Sequence, residues 1–192
     1  ALIGFDESVQ MLHEGRFSAA RVPDYAEKFP LVYREGNVFQ RIGRQWMLVT
    51  AGTREKFNTM TASWGGLGVL WNAEVSMIFV RPERYTYEFL ERETDYSLSF
   101  LAEGHRQALQ FCGSRSGRDV DKVKETGLTP VFDAAVPYFA EAEISLICRK
   151  LYYQDLDPSH FLDPAIAGNY RNAGLHRMYV GEIQKVLKRV ER

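Results

Sequence analysis

Residues 58–64 read Asn-Thr-Met-Thr-Ala-Ser-Trp, a short run crowded with hydroxyls. A second cluster, Arg81-Pro82-Glu83-Arg84-Tyr85-Thr86-Tyr87, begins seventeen residues beyond Trp64. Together they offer two guanidinium groups and several hydroxyls that could converge on one anion. Arginine grips phosphate bidentately, and Ser or Thr hydroxyls add donors. Cations at a helix start oppose its dipole, and a bound anion there would explain their presence. A third segment, Gly113-Ser114-Arg115-Ser116-Gly117-Arg118, adds two Arg, two Ser and two Gly before Asp119. The chemistry these segments suggest is binding of a phosphate-bearing cofactor along a polar loop. The plainer readings are a polar hairpin connection at 58–64 and a solvated helix start at Arg81 and Arg84.

Other constellations are weaker. There is no GxxxxGK[ST] phosphate loop and no GxGxxG fingerprint. Ser63 lacks the GxSxG surroundings of a nucleophile elbow. The histidines at 13, 105, 160 and 176 show no metal-ligand spacing. Cys112 and Cys148 form no CxxC pair, and Cys112 reads as a buried structural residue. His176 opens a strand beside a long loop, either as a structural histidine or as a substrate contact.

These residues need a scaffold. The chain has 192 residues and 45% hydrophobic content, enough for one domain with a real core. We expect a single domain over 1–192, with 1–36 as an irregular extension containing Pro23 and Pro30 and a short helix at 5–15. A net charge of −1 gives no support to nucleic-acid binding. No stretch approaches a membrane span, no secretory signal is visible, and sparse cysteine suits a reducing compartment. The expectation is therefore a cytoplasmic protein.

Apolar patterning predicts strands over 37–42 and 45–51, then a turn through Ala51-Gly52-Thr53 into the polar loop. The run Ser76–Val80 predicts a strand buried on both faces. Pro82 is placed to open a helix carrying Tyr85 and Phe89 on one face. Alternation predicts a half-buried strand at 96–100. A helix is expected over 103–112, with Ala108, Leu109, Phe111 and Cys112 inward. Asp119 should cap the next helix, and Gly127 should stop it. Even positions from Ala140 to Cys148 predict a strand with Glu141, Glu143 and Ser145 facing the other way. Residues 154–175 predict a long loop with a helical turn, and His176 to about Lys188 a closing strand. The order does not alternate strand and helix, so an antiparallel barrel with attached helices is expected.

In their order along the chain, Phe57–Trp64, Arg81–Thr86, Cys112–Asp119 and His176–Ile183 resemble the flavin reductase-like family, and within it the flavoredoxin branch. The similarity spans about residues 40 to 188. The resemblance implies a mainly β split barrel that binds FMN and forms a homodimer. It implies that Asn58, Thr59, Met60, Thr61, Ala62, Ser63 and Trp64 line the flavin. Arg81, Arg84 and Thr86 would hold the phosphate, and Ser116, Gly117, Arg118 and Asp119 would close over the cofactor. His176 would lie where a nicotinamide stacks. The implied activity is hydride transfer from NADH or NADPH to flavin and on to free flavin or an acceptor protein. The cofactor carries that chemistry, so no catalytic side chain is expected. The alternatives are an FMN electron carrier without a nicotinamide site, and oxidation of another small molecule on a barrel like that of pyridoxamine-phosphate oxidase.

Overall fold

The computed structural model describes residues 38–171 and 174–189. The predicted helix at 5–15 and the extension to residue 36 lie outside the described residues. Val38–Gln40 (α1) runs into a π-helical turn, Arg41–Gln45. This corrects the predicted 37–42 strand. Val38 and Ile42 are four apart, so a helix turns both toward the core, and Ile42 is buried there.

Seven strands form one sheet: β1 (Met47–Gly52), β2 (Phe57–Ala62), β3 (Gly65–Leu70), β4 (Ala73–Val80), β5 (Asp95–Leu101), β8 (Ala142–Asp155) and β9 (Arg177–Lys188). Two short strands, β6 (Pro130–Val131) and β7 (Tyr138–Phe139), pair separately. The main sheet has the order β2-β1-β5-β8-β9-β4-β3, and every pair is antiparallel. β2 and β3 are its two edges, yet only Ser63 and Trp64 separate them in sequence. Two extended residues reach only about 10 Å from strand to strand. The sheet must therefore curl until the end of β2 meets the start of β3. That closure makes it a barrel, as expected, with a seam at Ser63–Trp64.

The polar run at 58–64 is the main local correction. It was expected to be a loop, but residues 57–62 form β2, registered against β1 from Met47↔Ala62 to Gly52↔Phe57. β1 is buried along its whole length and needs a hydrogen-bonding partner on that edge. Thr59 and Thr61 are β-branched and tolerate that role. β3 was not anticipated: Gly65-Gly66-Leu67-Gly68 has little strand propensity, and its pairing with β4 places it.

α2 spans Tyr85–Arg92, three residues beyond the expected start at Pro82. Arg81–Arg84 instead form a turn, closed by the Arg84 amide donating to the Arg81 carbonyl at 3.0 Å. α3 spans Arg106–Ser114 and buries Ala108, Leu109 and Cys112 against Leu48 and Phe139, with Phe111 half-buried. α4 spans Lys122–Thr126, and its cap is Asp121, not Asp119. Asp121 Oδ1 accepts from the Lys124 amide at 3.1 Å, whereas Asp119 sits in the preceding turn. Gly127 ends α4 at φ 68, a left-handed position that suits glycine.

The remaining strands follow their patterns with two differences. Phe79 and Met77 on β4 are only half-buried, and Phe79 lines a cleft at the seam. Ser145 was expected outward but is buried, its hydroxyl 3.2 Å from that of Ser99. β8 is central, so both of its faces are covered over Ile144–Cys148. The 154–175 segment becomes two short 3-10 helices, Pro158–His160 and Pro164–Tyr170, capped by Asp157 and Asp163. No described helix is long and apolar enough to cross a membrane.

Candidate functional site

Two clefts flank opposite ends of β2. The first, about 660 Å³, is lined by Met60–Trp64 and by Phe79, Arg81, Glu83, Arg84 and His176. The second, about 600 Å³, takes in Phe57, Asn58 and Thr59, the 117–123 stretch and Arg54, Glu55 and Lys56. Both volumes suit a small-molecule ligand. An extended strand of six residues covers about 20 Å, which is enough to part the two groups. The predicted site residues are thus divided between two places.

At the first cleft the seam does the assembly. β2 brings Met60, Thr61 and Ala62, the link brings Ser63 and Trp64, and β9 follows directly on His176. The turn before α2 presents Arg81 and Arg84. Each guanidinium spends one nitrogen on a carbonyl: Arg81 Nη2 donates to Asn169 O at 2.9 Å, and Arg84 Nη1 to Gly113 O at 2.7 Å. Neither makes an ion pair with a carboxylate among the described residues. A guanidinium carries five donors, so both retain capacity for an anion. Thr61 is tied down, its hydroxyl donating to Leu109 O at 2.5 Å.

His176 forms the aromatic wall. It is only 8% exposed, and Trp64, 46% exposed, lies 5.1 Å away between ring centroids. Tyr170, from the segment before β9, places its hydroxyl 3.1 Å from His176 Nδ1. Burial pulls the imidazole down to about 4, assisted by Arg81 and Arg84 and opposed by Glu83. His176 is therefore neutral at physiological pH. Glu83 accepts from the Gly174 amide at 2.7 Å, and its own backbone amide, seconded by that bond, holds its carboxyl below the usual range.

The second cleft is wired internally. Asn58 Nδ2 donates to the Thr86 hydroxyl at 2.7 Å, and both residues are buried. Thr86 has no exposed surface, so the structure does not bring it to the first cleft beside Arg81 and Arg84. Gly117 packs directly over Asn58, and a Cβ there would lie 1.9 Å from Asn58 Oδ1. Thr59 is buried, its hydroxyl 2.9 Å from that of Thr50. Arg118 pairs with Glu88 and lies 4.8 Å over the Tyr85 ring. Ser116 Oγ accepts from the Arg118 amide at 3.2 Å, and Asp119 lines the cleft mouth.

Lys122 was not singled out from sequence. It is 6% exposed, and its ammonium donates to Thr59 O and Cys112 O, both at 2.8 Å. Cys112 O belongs to the last turn of α3, where a cation satisfies an orphan carbonyl. Burial lowers Lys122 to about 8, with Arg84 adding to the shift, and raises the Cys112 thiol to about 11. Within Asp119-Val120-Asp121-Lys122-Val123-Lys124 it reads as one more solvated charge, so no sequence signal marked it. Tyr170 was missed too, because it lies in the segment with the weakest patterning.

Comparison with known proteins agrees with this architecture. The model of the flavin reductase like domain family matches residues 39–191. No curated protein matches the chain. Among solved structures, a flavoredoxin from Methanosarcina acetivorans is 22% identical, with a TM-score of 0.58, over 76% of this chain and 68% of its own. A Shewanella frigidimarina protein with a split barrel domain, ascribed to the flavin reductases, is 18% identical, with a TM-score of 0.60, over 79% and 72%. An NADH:FAD oxidoreductase from Streptomyces globisporus is 18% identical, with a TM-score of 0.56, over 76% and 75%. At these identities the likeness concerns the fold, a split barrel. The family match covers most of the sequence, and on that ground the chain belongs to the flavin reductase like domain family.

Proposed function

We propose that this chain is an FMN-dependent oxidoreductase that takes reducing equivalents from NADH or NADPH and passes them to free flavin or an acceptor protein. The observation that carries the reading is the first cleft. It joins a polar strand edge, two arginines without carboxylate partners among the described residues and an aromatic wall within about 660 Å³. The chemistry of that donor set fits a ring-bearing phosphate ester: cations for the phosphate, hydroxyls and backbone for the chain, flat surfaces for the ring. Arg81 and Arg84 would hold the phosphate, Met60–Trp64 the ring edge and ribityl chain, and His176 with Trp64 the nicotinamide. Bound FMN would supply the redox chemistry, accepting a hydride and releasing electrons. The protein's own part is binding and orientation, with no side chain acting as general base.

The reading includes a homodimer in the cytoplasm. Both cysteines are free and buried, which suits a reducing compartment. Val69, Leu70 and Trp71 at the tip of the β3–β4 hairpin are exposed, as are Leu151 and Tyr152 on β8. Trp71 and Asn72 both have positive φ, and Trp71 is 58% exposed. A bulky residue kept in that conformation on a surface supports its use in a contact.

The test is the visible spectrum of the purified protein, followed by NADH or NADPH without oxygen. Yellow protein that bleaches supports the reading. Yellow protein that stays oxidised points to an electron carrier reduced by another protein. Colourless protein that fails to take up added FMN would refute the cofactor assignment.

A further inference from the structure

The segment between β8 and β9 is strapped to the first cleft at several points. Leu156 N donates to His176 O at 3.0 Å, closing the segment at its base. Arg81 Nη2 reaches Asn169 O, and its guanidinium lies 5.5 Å from the Tyr170 ring centroid. Glu83 receives the Gly174 amide. Phe161 stacks on Tyr170, with centroids 5.6 Å apart and planes 18° apart. Tyr170 is thus held by a ring on one side and a cation nearby, with its hydroxyl delivered to His176 Nδ1 at 3.1 Å.

His176 is more than nine-tenths buried, and it lines the cleft. Its Nδ1 has a partner, while no hydrogen bond engages Nε2 among the described residues. The groups facing it are Trp64 from the seam, Tyr170 from the strap, and Arg81, Glu83 and Arg84 from the turn before α2. A neutral imidazole has one N–H and one lone pair, and the partner of one nitrogen fixes the role of the other. A tyrosine hydroxyl can donate to the lone pair.

We propose that Tyr170 is a positioning residue that donates its hydroxyl proton to His176 Nδ1, fixing the Nε2–H tautomer so that Nε2 serves the cleft as a hydrogen-bond donor. The ligand such a donor recognises is a flat ring bearing a carbonyl or carboxamide oxygen, packed beside Trp64. This rests on, and deepens, the nicotinamide reading. A neutral donor binds an amide oxygen without adding a third cation beside Arg81 and Arg84. It also leaves the guanidinium groups to the phosphate.

The tautomer can be read without turnover. The flavin-loaded full chain, labelled with ¹⁵N-histidine, is examined at neutral pH, and His176 is identified by the signals lost in His176→Gln. The expected result is a pyrrole-type Nε2 and a pyridine-type Nδ1. A proton found on Nδ1 would overturn the proposal. In Tyr170→Phe, which keeps the ring against Phe161, the signals should shift to a tautomer mixture. An unchanged spectrum would count against Tyr170 as the determinant. The same variant should raise the KM for NADH or NADPH by the inverse of the Nε2–H fraction that remains, about twofold for an even mixture, with kcat and flavin content little changed. An unchanged KM would sink the link from tautomer to ligand. If neither nucleotide reduces the wild-type flavin while the tautomer is as expected, the nicotinamide reading fails and the assignment of the proton stands.

Discussion

The two clefts at the ends of β2 contain similar residue types in opposite states. In the second, Asn58 is bonded to Thr86, Arg118 to Glu88, and Lys122 to two carbonyls. The buried ones, Asn58 and Lys122, stitch β2 to α2, α3 and α4. In the first, the hydrogen bonds of the Arg81 and Arg84 guanidinium groups among the described residues go to backbone oxygens, and His176 leaves one nitrogen without a protein partner there. Polar residues near a cleft are therefore not equivalent. Those already engaged hold the frame, and those left with spare donors can meet a ligand.

The comparison breaks first at Gly117. A methyl group there would sit 1.9 Å from Asn58 Oδ1, inside any allowed contact. Gly117→Ala should destabilise the protein by about 3 kcal/mol, the upper range for overpacking, as read from the urea midpoint. A normal midpoint would show that this cleft is looser than described. Lys122→Met comes next. It removes the donor from Thr59 O and Cys112 O, and losing a partner for a buried group costs about 1–3 kcal/mol. If Lys122→Met were instead as stable as wild type but lost flavin, the second cleft would be a ligand site and the contrast would dissolve.

The first cleft should respond the other way. Arg81→Ala should weaken FMN binding about tenfold, the worth of one charged contact, while stability changes by under about 0.5 kcal/mol. Full flavin retention in the purified variant would remove Arg81 from the phosphate site. A last effect is one of pH. His176 is depressed from 6.5 to about 4 in the folded state, so the unfolded chain binds more protons between those values. The contribution is fully present above about pH 6.5 and is lost as pH falls toward 4. Urea midpoints measured between pH 7 and pH 4 should fall less steeply in His176→Gln than in wild type. Parallel curves would mean that His176 titrates normally.

The contrast also marks how far sequence could reach. β5, β8, β9 and α3 were legible because their apolar spacing is local and strong. The Gly127 stop was legible because its backbone demands glycine. β2 and β3 were not, since Asn, Thr and Gly favour turns until a neighbouring strand requires a partner. The predicted site was half-assembled for a related reason. Residues 60–64, 81, 84 and 176 meet at the seam, whereas 58, 59 and 117–119 lie together at the other end of the same strand. A single strand carried both groups, and sequence adjacency does not reveal the length over which they are spread. Lys122 and Tyr170 stayed hidden because their partners are backbone carbonyls and one ring nitrogen, which leave no spacing pattern.

The two-residue link at Ser63–Trp64 bears on the order in which the molecule folds. Joining β2 to β3 costs little loop entropy, because the link is so short. The β1–β2 and β3–β4 hairpins are likewise local. β4 must find β9 across about a hundred residues, from Ile78 to Tyr179. Long-range pairing of that kind sets the pace of folding. Four strands can thus form as two linked hairpins before the far end of the chain arrives. His176 and Tyr170 come with that far end, so the cleft gains its aromatic wall in the step that closes the barrel. Slow exchange of the Val80 and Arg177 amides would then report completion of the site and completion of the fold as a single event.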